Sequence, residues 1–271
     1  IYDHLKVKYD VLISTDLRGH KYLDSDIYKV FVVNTPRLNK LILLPFAIIK
    51  VFFLTLKSLF LLKREKIEIL ISTGGYMSLP LCLAAKMRNI KIFLLEPNMI
   101  IGRANRFFLN FCEKIICYDS NVIGFPDKFQ NKLKISHPLI RKKYFDINYK
   151  ADVDRIFTII IIGGSQGAKK FDEIVHESIL KISKIKPLKI IHQTNKKNIN
   201  FLKKFYTDNK IENIIFDFDE NLNVLLEQAD LCITRAGASS LAEISLLNIP
   251  FIAIPLPTAK DNHQLKNANY Y

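Results

Sequence analysis

Two glycine-rich turns in the second half of the chain carry the first chemical signal. Gly163-Gly164-Ser165-Gln166-Gly167 and Arg235-Ala236-Gly237-Ala238-Ser239-Ser240 each follow an apolar strand-like run, and each opens a helical pattern. A helix N-terminus leaves backbone N–H groups unpaired and carries partial positive charge. Two such ends converging on one crevice can hold a diphosphate without a metal ion. Glu243 follows the second turn at helical spacing. A carboxylate there can accept hydrogen bonds from ribose hydroxyls, so the three features together suggest a nucleotide-sugar site.

Other nucleotide motifs fit less well. Ile162 stands where a dinucleotide fingerprint needs its first glycine, and the next strand ends in Ile191-His192-Gln193 rather than in an acid for a nicotinamide ribose. No Lys-Ser/Thr pair closes the turn, which excludes a P-loop. Three Asp-x-Asp pairs, Asp24/Asp26, Asp152/Asp154 and Asp217/Asp219, have the form of a divalent-metal clamp. Asp217 and Asp219, however, flank a strand end before a helix, where acids act as caps or turn formers. His137, His176 and His192 show no ligand spacing, and no metal or other cofactor is expected.

The elements that must position these residues read as a repeated order of strand, loop and helix, which implies parallel sheets covered by helices. Strands are expected over 10–15, 30–33, 67–72 and 92–95, with helices over 79–87 and 103–111. The pattern loosens around 136–143 and turns polar over 147–155, which places a domain boundary near residue 140 and gives domains of 1–140 and 141–271. In the second domain, strands over 156–162, 188–193, 214–218, 231–234 and 251–254 alternate with helices running to 184 and over 200–209, 222–228 and 239–247. The uninterrupted β-branched run at 156–162 marks a buried central strand.

Residues 41–62 are almost wholly apolar and long enough to span a bilayer, but Pro45, Lys50 and Lys57 interrupt them. Lys50, Lys57 and Arg64 recur at a seven-residue interval on one helical stripe, while Phe46, Ile49, Phe53, Leu56 and Phe60 fill other faces. A spanning helix, an interfacial helix and a core helix with one solvated edge all fit, and the basic rim favours contact with anionic lipid. Phe107, Phe108 and Phe111 are candidates to extend such a patch.

With 271 residues and 49% apolar composition, the chain can bury a substantial core. Its formal charge of +14 favours an anionic partner. Lys196 to Lys204 with Phe201 and Phe205 comes nearest to a nucleic-acid surface, but that spacing suits an amphipathic helix, and no nucleic-acid partner is expected. The four scattered cysteines, Cys82, Cys112, Cys117 and Cys232, read as reduced core thiols. A first residue other than Met and a helical pattern running into the last residues suggest that both ends are cut.

Five segments in order, Gly74-Gly75-Tyr76-x-Ser78-x-Pro80, Glu96-x-Asn98, Gly163-Gly164-Ser165-Gln166-Gly167-Ala168, Arg235-Ala236-Gly237-Ala238-Ser239-Ser240-x-x-Glu243 and Asp261-Asn262-His263-Gln264-x-x-Asn267-Ala268, resemble the MurG family of peptidoglycan glycosyltransferases. The resemblance covers nearly the whole chain. It implies an α/β fold of two Rossmann-like domains facing across a cleft, the GT-B fold, here incomplete at both termini. It also implies inverting transfer of N-acetylglucosamine from UDP-GlcNAc to lipid I, undecaprenyl-pyrophosphoryl-MurNAc-pentapeptide, at the cytoplasmic face of the bacterial inner membrane. By position, Ser165 would touch the diphosphate. Ala238, Ser239, Ser240, Leu241, Ala242 and Glu243 would line the nucleotide, with Asp219 at the uracil and Arg141, among the substrate-binding residues, as the nearest match to the family's arginine after a proline. Gln264, His263 and Asn267 would read the sugar, and Asn98 and Tyr76 would lie on the N-terminal side of the cleft. The family's first Gly-rich loop, which holds a candidate base, has no counterpart in this sequence, so no catalytic base is named. Another UDP-sugar enzyme of this fold, a glycolipid galactosyltransferase or a UDP-GlcNAc epimerase, and an inactive remnant remain the alternatives.

Overall fold

The computed structural model describes residues 1–36, 44–145, 155–163 and 168–271, without the side chains of 168–171. Ser165, the Asp152/Asp154 pair and residues 41–43 of the apolar segment lie outside the described residues. The chain forms two compact units, Ile1–His137 and Pro138–Tyr271.

The first unit runs α1 (Tyr2–Leu5), β1 (Ile13–Thr15), α2 (Leu17–His20), β2 (Val30–Val32), α3 (Leu44–Arg64), β3 (Ile69–Ser72), α4 (Leu79–Met87), β4 (Lys91–Glu96), α5 (Arg103–Phe108), β5 (Lys114–Cys117) and β6 (Leu133–Ile135). Strands β3-β4-β5-β6 form one parallel sheet in chain order, and β1 and β2 pair separately, also in parallel. Parallel neighbours need long crossovers, which α4 and α5 supply. The core joins Ile92 and Leu94 of β4, Ile115 of β5, Ala84 and Ala85 of α4 and Leu61 and Leu62 of α3. Strands β5 and β6 have no counterpart in the sequence reading, because each is only three or four residues long and Lys114 and Lys134 dilute their apolar pattern.

Helix α3 is packed on one side only. Ala47, Thr55, Ser58, Leu61 and Leu62 are buried. The Thr55 and Ser58 hydroxyls donate back to the carbonyls of Val51 and Leu54 at 2.8 Å, which satisfies them inside the helix. On the other side Phe46, Ile48, Ile49, Phe52, Phe53 and Phe60 are exposed, Phe60 at 75%. By length and composition α3 could cross a membrane, yet its inner face shares the core of the parallel sheet. Phe107 and Phe111 are exposed, but Phe108 is fully buried and does not extend an exposed patch: its ring fills the core under α5.

The second unit runs β7 (Phe157–Ile162), α6 (Ala168–Ser183), β8 (Leu188–Gln193), α7 (Ile199–Asp208), β9 (Glu212–Phe216), α8 (Leu222–Glu227), β10 (Leu231–Thr234), α9 (Ala238–Leu246), β11 (Phe251–Ala253) and α10 (His263–Tyr270). Its sheet is parallel throughout, in the order β11-β10-β7-β8-β9. The first strand of the unit is therefore central, as its run of Ile159, Ile160 and Ile161, all buried, requires. The chain builds outward from β7 to one side and then crosses to the other. This reversal opens a crevice at the carboxyl ends of β7 and β10, where ligands of open α/β sheets bind.

Candidate functional site

Ile162 at the end of β7 stands in register with Thr234 at the end of β10. The backbone N–H of Arg235 donates to the Ile162 carbonyl at 3.2 Å, so Gly163, where the first glycine-rich turn begins, and Arg235 leave the sheet from adjacent strand ends. Gly237 is the N-cap of α9, with extended backbone at φ −74° and ψ 132°. The first N–H groups of that helix, on Ala238, Ser239 and Ser240, face outward from its end and favour an anion there.

Two side chains, Arg235 and Asn267, hold this second turn. Arg235 donates to the carbonyls of Ile254 and Pro255 at 3.2 and 3.4 Å. Desolvation lowers its pKa from the ordinary value. Asn267 is 0% exposed and donates to the Ala236 carbonyl at 3.1 Å. Asn267, expected to read the sugar, here lies buried on α10 and braces the turn. Gln264 accepts from the Leu256 N–H at 2.8 Å, and His263 donates from Nδ1 to the Lys260 carbonyl at 2.8 Å. Just before them Asp261 and Asn262 are both left-handed, at φ 55° and 53°. Asp and Asn accept that conformation at the lowest cost among residues with a Cβ.

Glu243, on α9, is engaged on both carboxylate oxygens. Arg141 donates from Nε to Oε1 at 2.9 Å and from Nη2 to Oε2 at 3.0 Å. The same Nη2 donates to the Tyr144 hydroxyl at 2.6 Å, and the guanidinium lies 4.8 Å from the Tyr144 ring centroid. Tyr144 is buried among Ile160, Leu226 and Ile244. Burial first, and then the Glu243 carboxylate, raise the pKa of its phenol. Sequence reasoning missed Tyr144, since one tyrosine in a loose polar stretch carries no periodic signal. Asp219 accepts from the Asn221 N–H at 2.7 Å, the turn-forming use expected of it, and Asp24 does the same for Asp26 at 2.9 Å.

Beneath α6 lies a buried polar cluster that the sequence did not reveal. The Asp172 carboxylate, 2% exposed, faces His192 Nε2 at 3.2 Å and accepts from Thr194 at 2.5 Å and from Asn198 at 2.8 Å. It ties the helix that follows the first turn to the end of β8 and the start of α7.

In the first unit, Gly74-Gly75-Tyr76 and Glu96-Pro97-Asn98 leave the adjacent ends of β3 and β4. Glu96 is 3% exposed and accepts from the N–H of Asn98 at 3.2 Å, the Asn98 amide at 2.9 Å, the Gly102 N–H at 2.7 Å and the Asn105 amide at 2.9 Å. Asn98 is thereby fixed by a saturated carboxylate. Gly74 sits at φ +80° against Asn105, where a Cβ would lie 3.0 Å from the amide nitrogen. The Tyr76 hydroxyl accepts from Arg18 at 2.8 Å, and Arg18 also donates to Asp16 at 2.7 and 2.9 Å.

Two parallel α/β units, each with a glycine-rich segment leaving a strand end, are the build of the GT-B fold; the fold alone does not fix the activity. The domain descriptions agree. Residues 11–117 match the glycosyltransferase family 28 N-terminal domain, and residues 158–271 match the glycosyltransferase family 28 C-terminal domain. The chain is 47% identical over its whole length to 76% of the UDP-N-acetylglucosamine--N-acetylmuramyl-(pentapeptide) pyrophosphoryl-undecaprenol N-acetylglucosamine transferase of Pelagibacter ubique (strain HTCC1062). It is 34% identical to the protein of the same name from Rickettsia canadensis (strain McKiel), over 98% of this chain and 76% of that one. The crystal structure of Acinetobacter baumannii MurG superposes with a TM-score of 0.71 at 23% identity, over 99% of this chain and 76% of that chain. The chain belongs to the MurG family of N-acetylglucosaminyltransferases.

Proposed function

We propose that the chain is an inverting hexosyltransferase that moves N-acetylglucosamine from UDP-GlcNAc to lipid I, yielding lipid II and UDP. The observation that carries this reading is the register of Ile162 with Thr234, which starts both glycine-rich segments, at Gly163 and Arg235, from adjacent strand ends, with Glu243 on the helix after the second. In the reaction a base takes the proton from the acceptor's sugar hydroxyl, the oxygen attacks the anomeric carbon from the face opposite the diphosphate, and UDP departs. Negative charge grows on the leaving diphosphate. The N-terminus of α9, fixed by Asn267 and Arg235, is preorganised to stabilise that charge and supplies the positive field for which other transferases use a divalent ion. Glu243 takes the ribose hydroxyls, Asp219 stands at the uracil, and Gln264 and His263 border the sugar. Ser165 joins the diphosphate from the first turn, and Tyr76 and Asn98 serve the acceptor side.

The placement that supports this reading best is peripheral, on an anionic membrane surface at the cytoplasmic face of the inner membrane. The outward face of α3 carries Phe46, Ile49, Phe53 and Phe60, with Lys50, Lys57 and Arg64 exposed along its edge. Its inner face is committed to the sheet, which favours lying on lipid over spanning it.

Calorimetric titration of UDP-GlcNAc tests the donor site. Glu243→Ala removes hydrogen bonds to a charged acceptor worth about 1.5–3 kcal/mol each, so affinity falls by roughly ten- to a hundredfold. Chelation by EDTA leaves the affinity unchanged. Equal dissociation constants for the two proteins would defeat the assignment, and an EDTA-sensitive affinity would restore a metal to the site.

A further inference from the structure

Two residues expected to bind substrate, Arg141 and Glu243, are bound to each other. An ionised carboxylate offers roughly four lone-pair positions, two on each oxygen. The Arg141 fork takes one on each oxygen of Glu243. The remaining two positions, one per oxygen, diverge to opposite sides of the carboxylate, so either can accept from a further hydroxyl while the fork stays in place.

The guanidinium has meanwhile committed its Nε, and it has committed Nη2 to both Glu243 and Tyr144. A bidentate grip on a phosphate uses either the Nε/Nη2 edge or the Nη1/Nη2 edge, and both need Nη2. Arg141 therefore has no free edge for a diphosphate. Its plane is held by the buried Tyr144, whose hydroxyl and ring both bear on it.

We propose that Arg141 serves the donor through Glu243, as a positioning residue that presents the carboxylate to a ribose hydroxyl, and is not a ligand of the diphosphate. The proposal rests on the reading of Glu243 as the ribose acid. Arg141 and Tyr144 form the rigid backing, and Glu243 is the group that touches the nucleotide.

The test titrates UDP and 2′,3′-dideoxy-UDP against the chain and its variants Arg141→Ala, Arg141→Lys, Glu243→Gln and the Arg141→Ala/Glu243→Gln double variant. Circular dichroism and a cooperative melt verify folding of each. Arg141→Ala is expected to weaken UDP by roughly tenfold and the dideoxy nucleotide by less than about twofold, with no further loss in the double variant. Arg141→Lys should not restore UDP binding, because an ammonium has no fork, whereas it would serve a phosphate well. Equal losses on both nucleotides, losses that multiply in the double variant, or rescue by lysine would each overturn the proposal in favour of direct diphosphate contact. Full UDP affinity in Arg141→Ala beside a weakened Glu243→Gln also overturns it, while leaving the ribose assignment intact. Unchanged UDP affinity in Glu243→Gln removes the ribose assignment and the proposal together. If Arg141→Ala does not fold, Arg141→Lys compared on the two nucleotides makes the same distinction.

Discussion

Asn267 on α10 holds the carbonyl of Ala236, 31 residues earlier, from a fully buried position. That bond fixes the turn between β10 and α9, so a residue outside the donor crevice governs the crevice's shape. Asn267→Ala leaves a buried carbonyl without this donor, which costs about 1–3 kcal/mol. A thermal melt should show a lowered midpoint, and the donor titration a weaker affinity. An unchanged melt would mean that the turn holds itself.

Glu96 plays the corresponding part in the first unit. Its four acceptor contacts fix Asn98 and the backbone at Gly102. Glu96→Gln replaces one acceptor oxygen by a donor facing other donors, and the loss of hydrogen bonds to a charged group costs about 1.5–3 kcal/mol each. Urea denaturation should report this as a lower midpoint with an unchanged slope. A midpoint equal to that of the unaltered chain would show that the carboxylate is dispensable.

The Asp172 cluster gives the second unit an acid-sensitive bolt. Burial pushes its carboxyl pKa up, but hydrogen bonds from His192, Thr194 and Asn198 outweigh burial and hold it below the ordinary 3.8. A depressed pKa in the folded chain means stability that is fully present above the unfolded value and lost as pH falls through the folded one. The contribution of Asp172 should therefore be constant near neutrality and disappear below about pH 4. Asp172→Asn should lower stability at pH 7 and flatten this acid-limb loss. An acid limb identical in both proteins would assign the titration elsewhere.

Lipid contact through α3 predicts a salt effect. Each Lys or Arg near an anionic surface contributes about 1 kcal/mol, screened over a Debye length of about 8 Å at physiological salt. Sedimentation with vesicles containing phosphatidylglycerol should weaken with added salt and on neutralising Lys50, Lys57 and Arg64, and Phe53→Ser with Phe60→Ser should weaken it at any salt. Binding that ignores salt and all five changes would exclude α3 as the lipid-facing element.

Much of this protein was fixed by local pattern. Glycine turns after apolar runs marked the strand ends proposed to bind phosphate, β-branched continuity at Ile159 to Ile161 marked a central strand, and the seven-residue recurrence of Lys50, Lys57 and Arg64 marked a helix edge, since backbone freedom and side-chain periodicity are properties of short segments. Strand order is not such a property. Only the folded sheet put β10 beside β7, so that the segments opening at Gly163 and Arg235 start from adjacent strand ends. The same holds for Arg141 and Glu243, 102 residues apart, which sequence reading named separately as substrate-binding residues and the structure joins in one fork. Asp172 with His192 and Asn267 with Ala236 were likewise invisible beforehand. Such pairs are chosen by where the packed core leaves a buried polar group in need of a partner, and that need exists only once the chain has closed around it.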